Sequence, residues 1–205
     1  MLPRCFALLA LVLLLRAEAA EAAESLAFLG DSITAGYGLA AEQAYPALVG
    51  AALAADPATA RWGVINAGVS GDTSAGGLRR IDWVLKGRPR VVVVALGGND
   101  GLRGLPVTQL DSNLRAIVAK VRAAGSTPLL IGMRVPKNLG PDYASAFAAV
   151  YPRLASELDL PLLPFLLEGV ALDPALNQAD LIHPNATGQE LIARRVHAWL
   201  KPLLP

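Results

Sequence analysis

The sequence predicts an α/β fold in which a central five-stranded parallel sheet lies between two layers of helices. Two observations support this class. Short apolar segments alternate with helical segments along the chain, and one of them, RVVVVALGG, contains a nearly continuous run of β-branched residues. Such a run is expected for a strand that is buried on both faces. Alternation at this spacing favours parallel strands that are joined by helical crossovers.

Each strand of this sheet is predicted from one short apolar segment. In chain order the segments are SLAFLG, WGVINAG, RVVVVALGG, TPLLIGM and PLLPFL, at residues 25–30, 62–68, 90–98, 127–133 and 161–166. Ligands of such sheets bind outside the carboxyl ends of the strands. The loops that follow these segments are therefore the places to look for chemistry.

The helices are predicted between the strands, at residues 43–56, 73–85, 107–124, 143–158 and 187–200. The first of them is interrupted at Pro46. The third has the clearest pattern, and Gly125 ends it. Its apolar residues recur on one helical face: Val107, Leu110, Leu114, Ile117, Val118 and Val121.

The first 23 residues are predicted to be a cleaved signal peptide. A short basic start, MLPR, precedes an apolar run of eleven residues, and an alanine-rich segment with A-x-A arrangements follows. The run is shorter than the roughly 20 residues that a membrane-spanning helix needs. A buried N-terminal helix is the alternative. Cleavage between Ala19 and Glu24 would leave an exported protein, either periplasmic or secreted.

Residues 24–205 are predicted to form one catalytic domain. The length suits one domain with a sizeable core. After Glu24 there is no internal repeat, no low-complexity linker and no second composition regime. We expect a monomer without a stable membrane anchor.

Composition excludes several classes of function. The only cysteine, Cys5, lies in the predicted signal peptide, so the remaining chain has no thiol nucleophile, disulfide or cysteine metal site. The two histidines are too few to favour zinc, and we expect no metal and no cofactor. The net charge of +1, with scattered Lys and Arg, provides no basic stripe for nucleic acid.

Four loops carry polar residues suited to chemistry, and three of them directly follow predicted strands. They are Gly30-Asp31-Ser32, residues 66–74 with Gly71, residues 97–101 with Asn99, and residues 180–184 with Asp180 and His183. Taken singly, each has a structural explanation: Asp31 and Ser32 suit a helix cap, Asn99 an Asx-turn, and Asp180 a turn before Pro184. Together they supply a hydroxyl, an imidazole, a carboxylate, a carboxamide and backbone N–H groups. These are the components of an acyl-transfer site.

Of the two histidines, His183 is the candidate base. It lies three residues after Asp180, and a D-x-x-H turn can fold back so that the carboxylate fixes one ring nitrogen while the other faces a hydroxyl. His197 falls within the predicted terminal helix, beside two arginines, and is interpreted as a surface residue.

The order GDSIT, Gly71, GGND and DLIHP closely resembles the SGNH hydrolases, also called GDSL-type lipases and esterases. Ile33 replaces the leucine of the name-giving motif. The resemblance extends from about Leu26 to the C-terminus and is strongest to the small bacterial exported thioesterase, arylesterase and lysophospholipase group. The G-x-S-x-G elbow of α/β-hydrolases is absent, since it would require glycine where Thr34 stands.

The resemblance implies a flavodoxin-like three-layer fold and a role for each motif residue. Ser32 would be the nucleophile, His183 its general base and Asp180 the orienting carboxylate. The oxyanion hole would consist of the backbone N–H groups of Ser32 and Gly71 and the Asn99 side-chain amide. Glycine at position 71 is expected because a side chain would obstruct close approach.

Three functions remain as hypotheses. The favoured one is hydrolysis of carboxylic esters and thioesters with aliphatic acyl chains, which are small-molecule or lipid substrates. The apolar segments at residues 134–143 and 164–172 would line the acyl site. By the same resemblance, the first of these segments would close over the acyl chain through Val135, Pro136 and Leu139. The alternatives are a carbohydrate O-acetyl esterase and a non-catalytic binding module on the same fold.

Overall fold

The computed structural model describes residues 24–135 and 139–205. The predicted signal peptide and Pro136 lie outside the described residues. Five strands are present: β1 Glu24–Gly30, β2 Trp62–Gly68, β3 Val91–Ala95, β4 Thr127–Ile131 and β5 Leu162–Leu163. The helices of the described chain are α1 Ser32–Ala35, α2 Tyr45–Ala54, α3 Ser74–Leu85, α4 Gly98–Leu102, α5 Val107–Ala123, α6 Pro141–Glu157 and α7 Ala186–Leu200. Short 3₁₀ turns occur at Ala41–Gln43 and Lys201–Leu203.

The strands form one parallel sheet in the order β2-β1-β3-β4-β5, which confirms the predicted fold class. The strand order reverses between β1 and β3. In open parallel sheets the ligand crevice lies at this point, outside the carboxyl ends of the two strands. The candidate loops after β1 and β3, which contain Ser32 and Asn99, therefore flank the crevice.

The core lies on both faces of the central strands. All five residues of β3 are buried, as the uninterrupted valine run predicts. Helix α2 packs against α7, whereas α3 packs against α5, and α5 packs against α6. No helix of the described ranges combines the length and apolar character needed to cross a bilayer.

Two short helices, the length of the fifth strand and the place of Pro46 differ from the predictions. The fifth strand contains only Leu162–Leu163, whereas residues 161–166 were predicted. α1 begins shortly after the end of β1, and α4 begins shortly after the end of β3. Neither of these helices was predicted. Pro46 does not interrupt α2. It lies in the first turn of that helix, where the N–H that proline lacks would have no partner within the helix.

Candidate active site

Ser32 is the first residue of α1, and Asp31 caps that helix. The Asp31 carboxylate accepts a hydrogen bond from the Ile33 backbone N–H at 3.0 Å. Asp31 is buried, whereas the Ser32 side chain is half-buried at the carboxyl edge of the sheet. The two explanations of this segment are therefore compatible, because the residue that caps the helix also presents the next residue's hydroxyl.

Ser32, His183 and Asp180 form one chain of hydrogen bonds. Asp180 Oδ1 accepts from the backbone N–H groups of Ile182 and His183 at 2.9 and 3.0 Å. Asp180 Oδ2 lies 2.6 Å from His183 Nδ1, and the hydrogen bond from the imidazole is the main cause that lowers the pKa of Asp180 to about 2. Because the carboxylate is ionised at neutral pH, Nδ1 carries the proton. Nε2 then accepts from Ser32 Oγ at 2.9 Å.

The other histidine occupies a different place. His197 is half-buried on α7, where it lines a shallow recess with Leu48 and Ala52 of α2. It is less exposed than the surface residue that the sequence suggested.

Gly71 has a left-handed backbone with φ of +82°. A Cβ at this position would meet Arg103 Nη2 at 3.7 Å, which is an ordinary contact. Within the described chain, the requirement for glycine thus comes from the positive φ and not from crowding by the protein itself.

Three side chains hold the Gly71 loop: Asn99 and Asp100 from α4, and Arg103, which directly follows that helix. Asn99 Nδ2 donates to the Asp72 carbonyl at 2.9 Å, and Arg103 Nη2 donates to the Gly71 carbonyl at the same distance. The buried Asp100 accepts from the Ser74 backbone N–H at 2.7 Å and from Ser74 Oγ at 2.5 Å. A loop fixed in this way can keep its N–H groups in place for a developing oxyanion. Asp100 and Arg103 were missed at the sequence level, although Asp100 is the last residue of the GGND motif and Arg103 lies three residues after it.

If Asn99 is the oxyanion donor that the sequence predicts, Asn99→Ala should lower kcat by about 10²–10³ and leave KM within a few-fold of wild type, because such a donor acts mainly in the transition state. Loss of the bond to the Asp72 carbonyl should cost only about 1 kcal/mol of stability. Steady-state kinetics and thermal melting measure the two effects separately. A variant that melts early but keeps near-normal kcat would assign Asn99 a purely structural role.

An apolar pocket of about 240 Å³ opens beside the hydrogen-bonded chain. Its wall includes the immediate neighbours of three candidate residues: Ile33 next to Ser32, Gly98 next to Asn99, and Ile182 next to His183. The rest of the wall comes from two segments and two single positions and consists of Leu102, Met133, Arg134, Val135, Phe165, Leu167, Ala171, Leu172 and Leu181. The pocket thus adjoins the place where an ester carbonyl would lie.

The predicted acyl-binding residues differ in their relation to this pocket. Val135 lines it, whereas Leu139 is 43% exposed and is not part of the wall. Pro136 lies outside the described residues. Phe165, Leu167 and Leu172, from the second predicted segment, also contribute to the wall.

The pKa of Asp31 is raised from 3.8 to about 6, mainly because the carboxyl is buried. Ionisation is thus more costly in the folded state than in the unfolded state, and Asp31 lowers stability as the pH rises from about 4 to above 6. The two pKa values correspond to a penalty of about 3 kcal/mol that is complete near pH 8 and absent near pH 3.

We therefore compare the unfolding free energy of Asp31→Asn, which keeps a capping oxygen, with that of wild type at two pH values. The difference should shift by about 3 kcal/mol in favour of the variant from pH 3 to pH 8. Denaturant unfolding at both pH values measures this change, and any constant effect of the asparagine cancels. A difference between variant and wild type that does not vary with pH would contradict the raised pKa. Asp180 has the opposite sign, since its lowered pKa favours the folded state above about pH 4.

A serine, a histidine and a carboxylate joined by hydrogen bonds at the carboxyl edge of a parallel sheet define the class of serine hydrolases. The chain belongs to the GDSL-like lipase/acylhydrolase family, whose model matches residues 28–191. This confirms the predicted family and the prediction of a carboxylic ester hydrolase.

Individual relatives support the same conclusion. The chain is 47% identical to the thioesterase 1/protease 1/lysophospholipase L1 of Escherichia coli K12 over 195 residues, which are 95% of this chain and 91% of that protein. It is 45% identical to the esterase TesA of Pseudomonas aeruginosa, over 96% of each chain. The solved structure of a psychrotrophic esterase, EstA from Pseudoalteromonas sp., inhibited by monoethylphosphonate, is 34% identical. It has a TM-score of 0.83 and covers 88% of this chain and 98% of that one.

Proposed function

We propose that the protein hydrolyses carboxylic esters and thioesters of aliphatic acyl chains through an acyl-enzyme on Ser32. The single observation that carries the proposal is the 2.9 Å hydrogen bond between Ser32 Oγ and His183 Nε2, with Asp180 on the opposite ring nitrogen. A serine hydroxyl becomes an effective nucleophile when a positioned base removes its proton as the new bond forms.

In the proposed reaction, Ser32 Oγ attacks the acyl carbonyl carbon while His183 Nε2 takes the hydroxyl proton. Asp180 stabilises the resulting imidazolium. The backbone N–H groups of Ser32 and Gly71 and the free N–H of the Asn99 amide would receive the oxyanion. His183 then protonates the leaving oxygen or sulfur, and a water molecule activated by the same histidine releases the acid.

The apolar pocket supports an aliphatic acyl group as the preferred substituent. The charge of Arg134 in its wall is partly balanced by Glu168 at 3.7 Å, and its guanidinium lies 5.0 Å from the centre of the Phe165 ring. The remaining wall is formed largely by apolar side chains, which favour hydrocarbon over a sugar.

Comparison of acetyl and decanoyl esters tests this assignment. We expect Val135→Ser to lower kcat/KM for the decanoyl ester about tenfold relative to the acetyl ester, because the pocket loses apolar contact with the long chain. Leu139→Ser, at an exposed neighbour that does not line the pocket, is the matched control and should leave this ratio unchanged.

An equal loss of kcat/KM on both esters in Val135→Ser would contradict the assignment of the pocket to the acyl chain. A wild-type enzyme that favours the acetyl ester would instead support the carbohydrate O-acetyl esterase. Absence of turnover on every ester and thioester would leave the non-catalytic binding module as the remaining hypothesis.

We further propose that residues 1–23 direct export and that residues 24–205 act as one catalytic domain and as a monomer. The basic start and the apolar run support the first point. The single domain is supported by one continuous hydrophobic core of the described residues, which extends from Leu26 to Leu200.

A further inference from the structure

Tyr37 is an exposed aromatic residue beside the candidate base. Its ring centroid lies 4.6 Å from that of His183, with the two planes inclined at 41°. The residue is nevertheless 53% exposed, so part of the ring is available to solvent. An exposed ring in contact with the imidazole is available to a substrate group that approaches the same histidine.

The backbone around Tyr37 is fixed on both sides. Its N–H donates to the Ser32 carbonyl at 3.0 Å, and its own carbonyl accepts from Gln178 Nε2 at 2.7 Å. Gln178 also donates from its backbone N–H to the His183 carbonyl at 2.8 Å. Gly38 follows with φ of +78°, and a Cβ there would lie 2.5 Å from Gln178 Oε1. Tyr37 is thus tied to the serine helix and to the histidine loop, which lowers the entropic cost of using it as a binding surface.

The chemistry of the proposed reaction requires a leaving group at this histidine. His183 Nε2 must pass its proton to the leaving oxygen or sulfur, so that atom has to lie within hydrogen-bonding distance of the imidazole. The acyl chain is directed to the pocket whose wall includes Ile33 and Ile182, and Tyr37 does not belong to that wall. The alcohol or thiol portion must therefore lie outside the pocket, around the imidazole that Tyr37 contacts.

We propose that Tyr37 forms the leaving-group subsite and favours esters whose leaving group is a flat aromatic ring over those of alkyl alcohols. This inference rests on the proposed function and concerns the same site. An aromatic leaving group can pack against the exposed part of the Tyr37 ring, whereas a small alkyl group covers less of it.

The test compares phenyl octanoate with ethyl octanoate, which share the acyl chain and differ in the leaving group. We expect Tyr37→Leu to lower kcat/KM for the phenyl ester by about three- to tenfold relative to the ethyl ester, and Tyr37→Phe to retain the wild-type ratio. Trp83→Leu, at an aromatic residue of α3 that is 69% exposed, is the matched control and should change kcat/KM for neither ester. Tyr37→Ser provides the same comparison if the leucine variant does not fold.

A second measurement separates a subsite from a positioning role. Both esters form the same octanoyl-enzyme, so its hydrolysis rate in Tyr37→Leu should equal that of wild type if Tyr37 contacts only the leaving group. Equal losses on both esters together with slower hydrolysis of the octanoyl-enzyme would overturn the inference, as would an unchanged ratio. Failure of the proposed function has a different signature, because wild type would then hydrolyse neither ester.

Discussion

Ser32→Ala should reduce ester hydrolysis by about six orders of magnitude and abolish covalent labelling by a fluorophosphonate, while the fold remains intact. The reason is that alanine removes Ser32 Oγ, the atom hydrogen-bonded to His183 Nε2, and preserves the backbone of α1. Labelling requires an activated hydroxyl, so it reports the same property independently of substrate choice. Hydrolysis of an octanoyl ester and mass analysis of the labelled protein measure the two effects.

The matched control is Ser145→Ala, at an exposed position on α6, which should retain both activity and labelling. Activity of Ser32→Ala above a few per cent of wild type, in protein free of wild type, would refute the nucleophile assignment. Loss of activity in the Ser145 variant would show that the loss in Ser32→Ala is not specific.

His183→Ala should be almost as damaging as Ser32→Ala, because it removes the base and the later acid together. Since the two residues act as one unit, the variant that combines both changes should be little worse than either alone. Initial rates on the same octanoyl ester provide the measurement, and circular dichroism verifies that each variant is folded.

His197→Ala is the natural control for this substitution, because the described chain places His197 in a recess between α2 and α7. It should retain nearly full activity. The reverse pattern, with His197 essential and His183 dispensable, would mean that the base had been wrongly identified.

The presence of five parallel strands, though not their order, could be predicted because the signals for individual strands are local. The valine run of β3 is long enough, and buried enough, to be recognised without knowledge of its neighbours. The motif residues Ser32, Asn99 and His183 could be selected because they follow predicted strands or form a short turn with a carboxylate. Topology then predicts that such loops meet at one edge of the sheet.

The elements that could not be predicted depend on contacts between distant segments. α1 and α4 contain four and five residues, too few to show helical periodicity. The hydrogen bond from Gln178 to the Tyr37 carbonyl joins residues that are 141 positions apart, and it cannot be recognised from the sequence around either residue. Likewise, Val135 and Leu139 are both apolar and close in sequence, and only the fold distinguishes the residue that lines the pocket from the exposed one.

The hydrogen bond between Ser32 and His183 joins positions that are 151 residues apart, one just after the first strand and the other just before the last long helix. Contacts of such high sequence separation are costly to close and raise the contact order of a fold. In the proposed mechanism, a growing chain cannot hydrolyse an acyl ester until almost all of it has been synthesised and the segment that carries His183 has docked. The return of activity after denaturation therefore reports completion of the whole fold, whereas the return of helical signal can precede it.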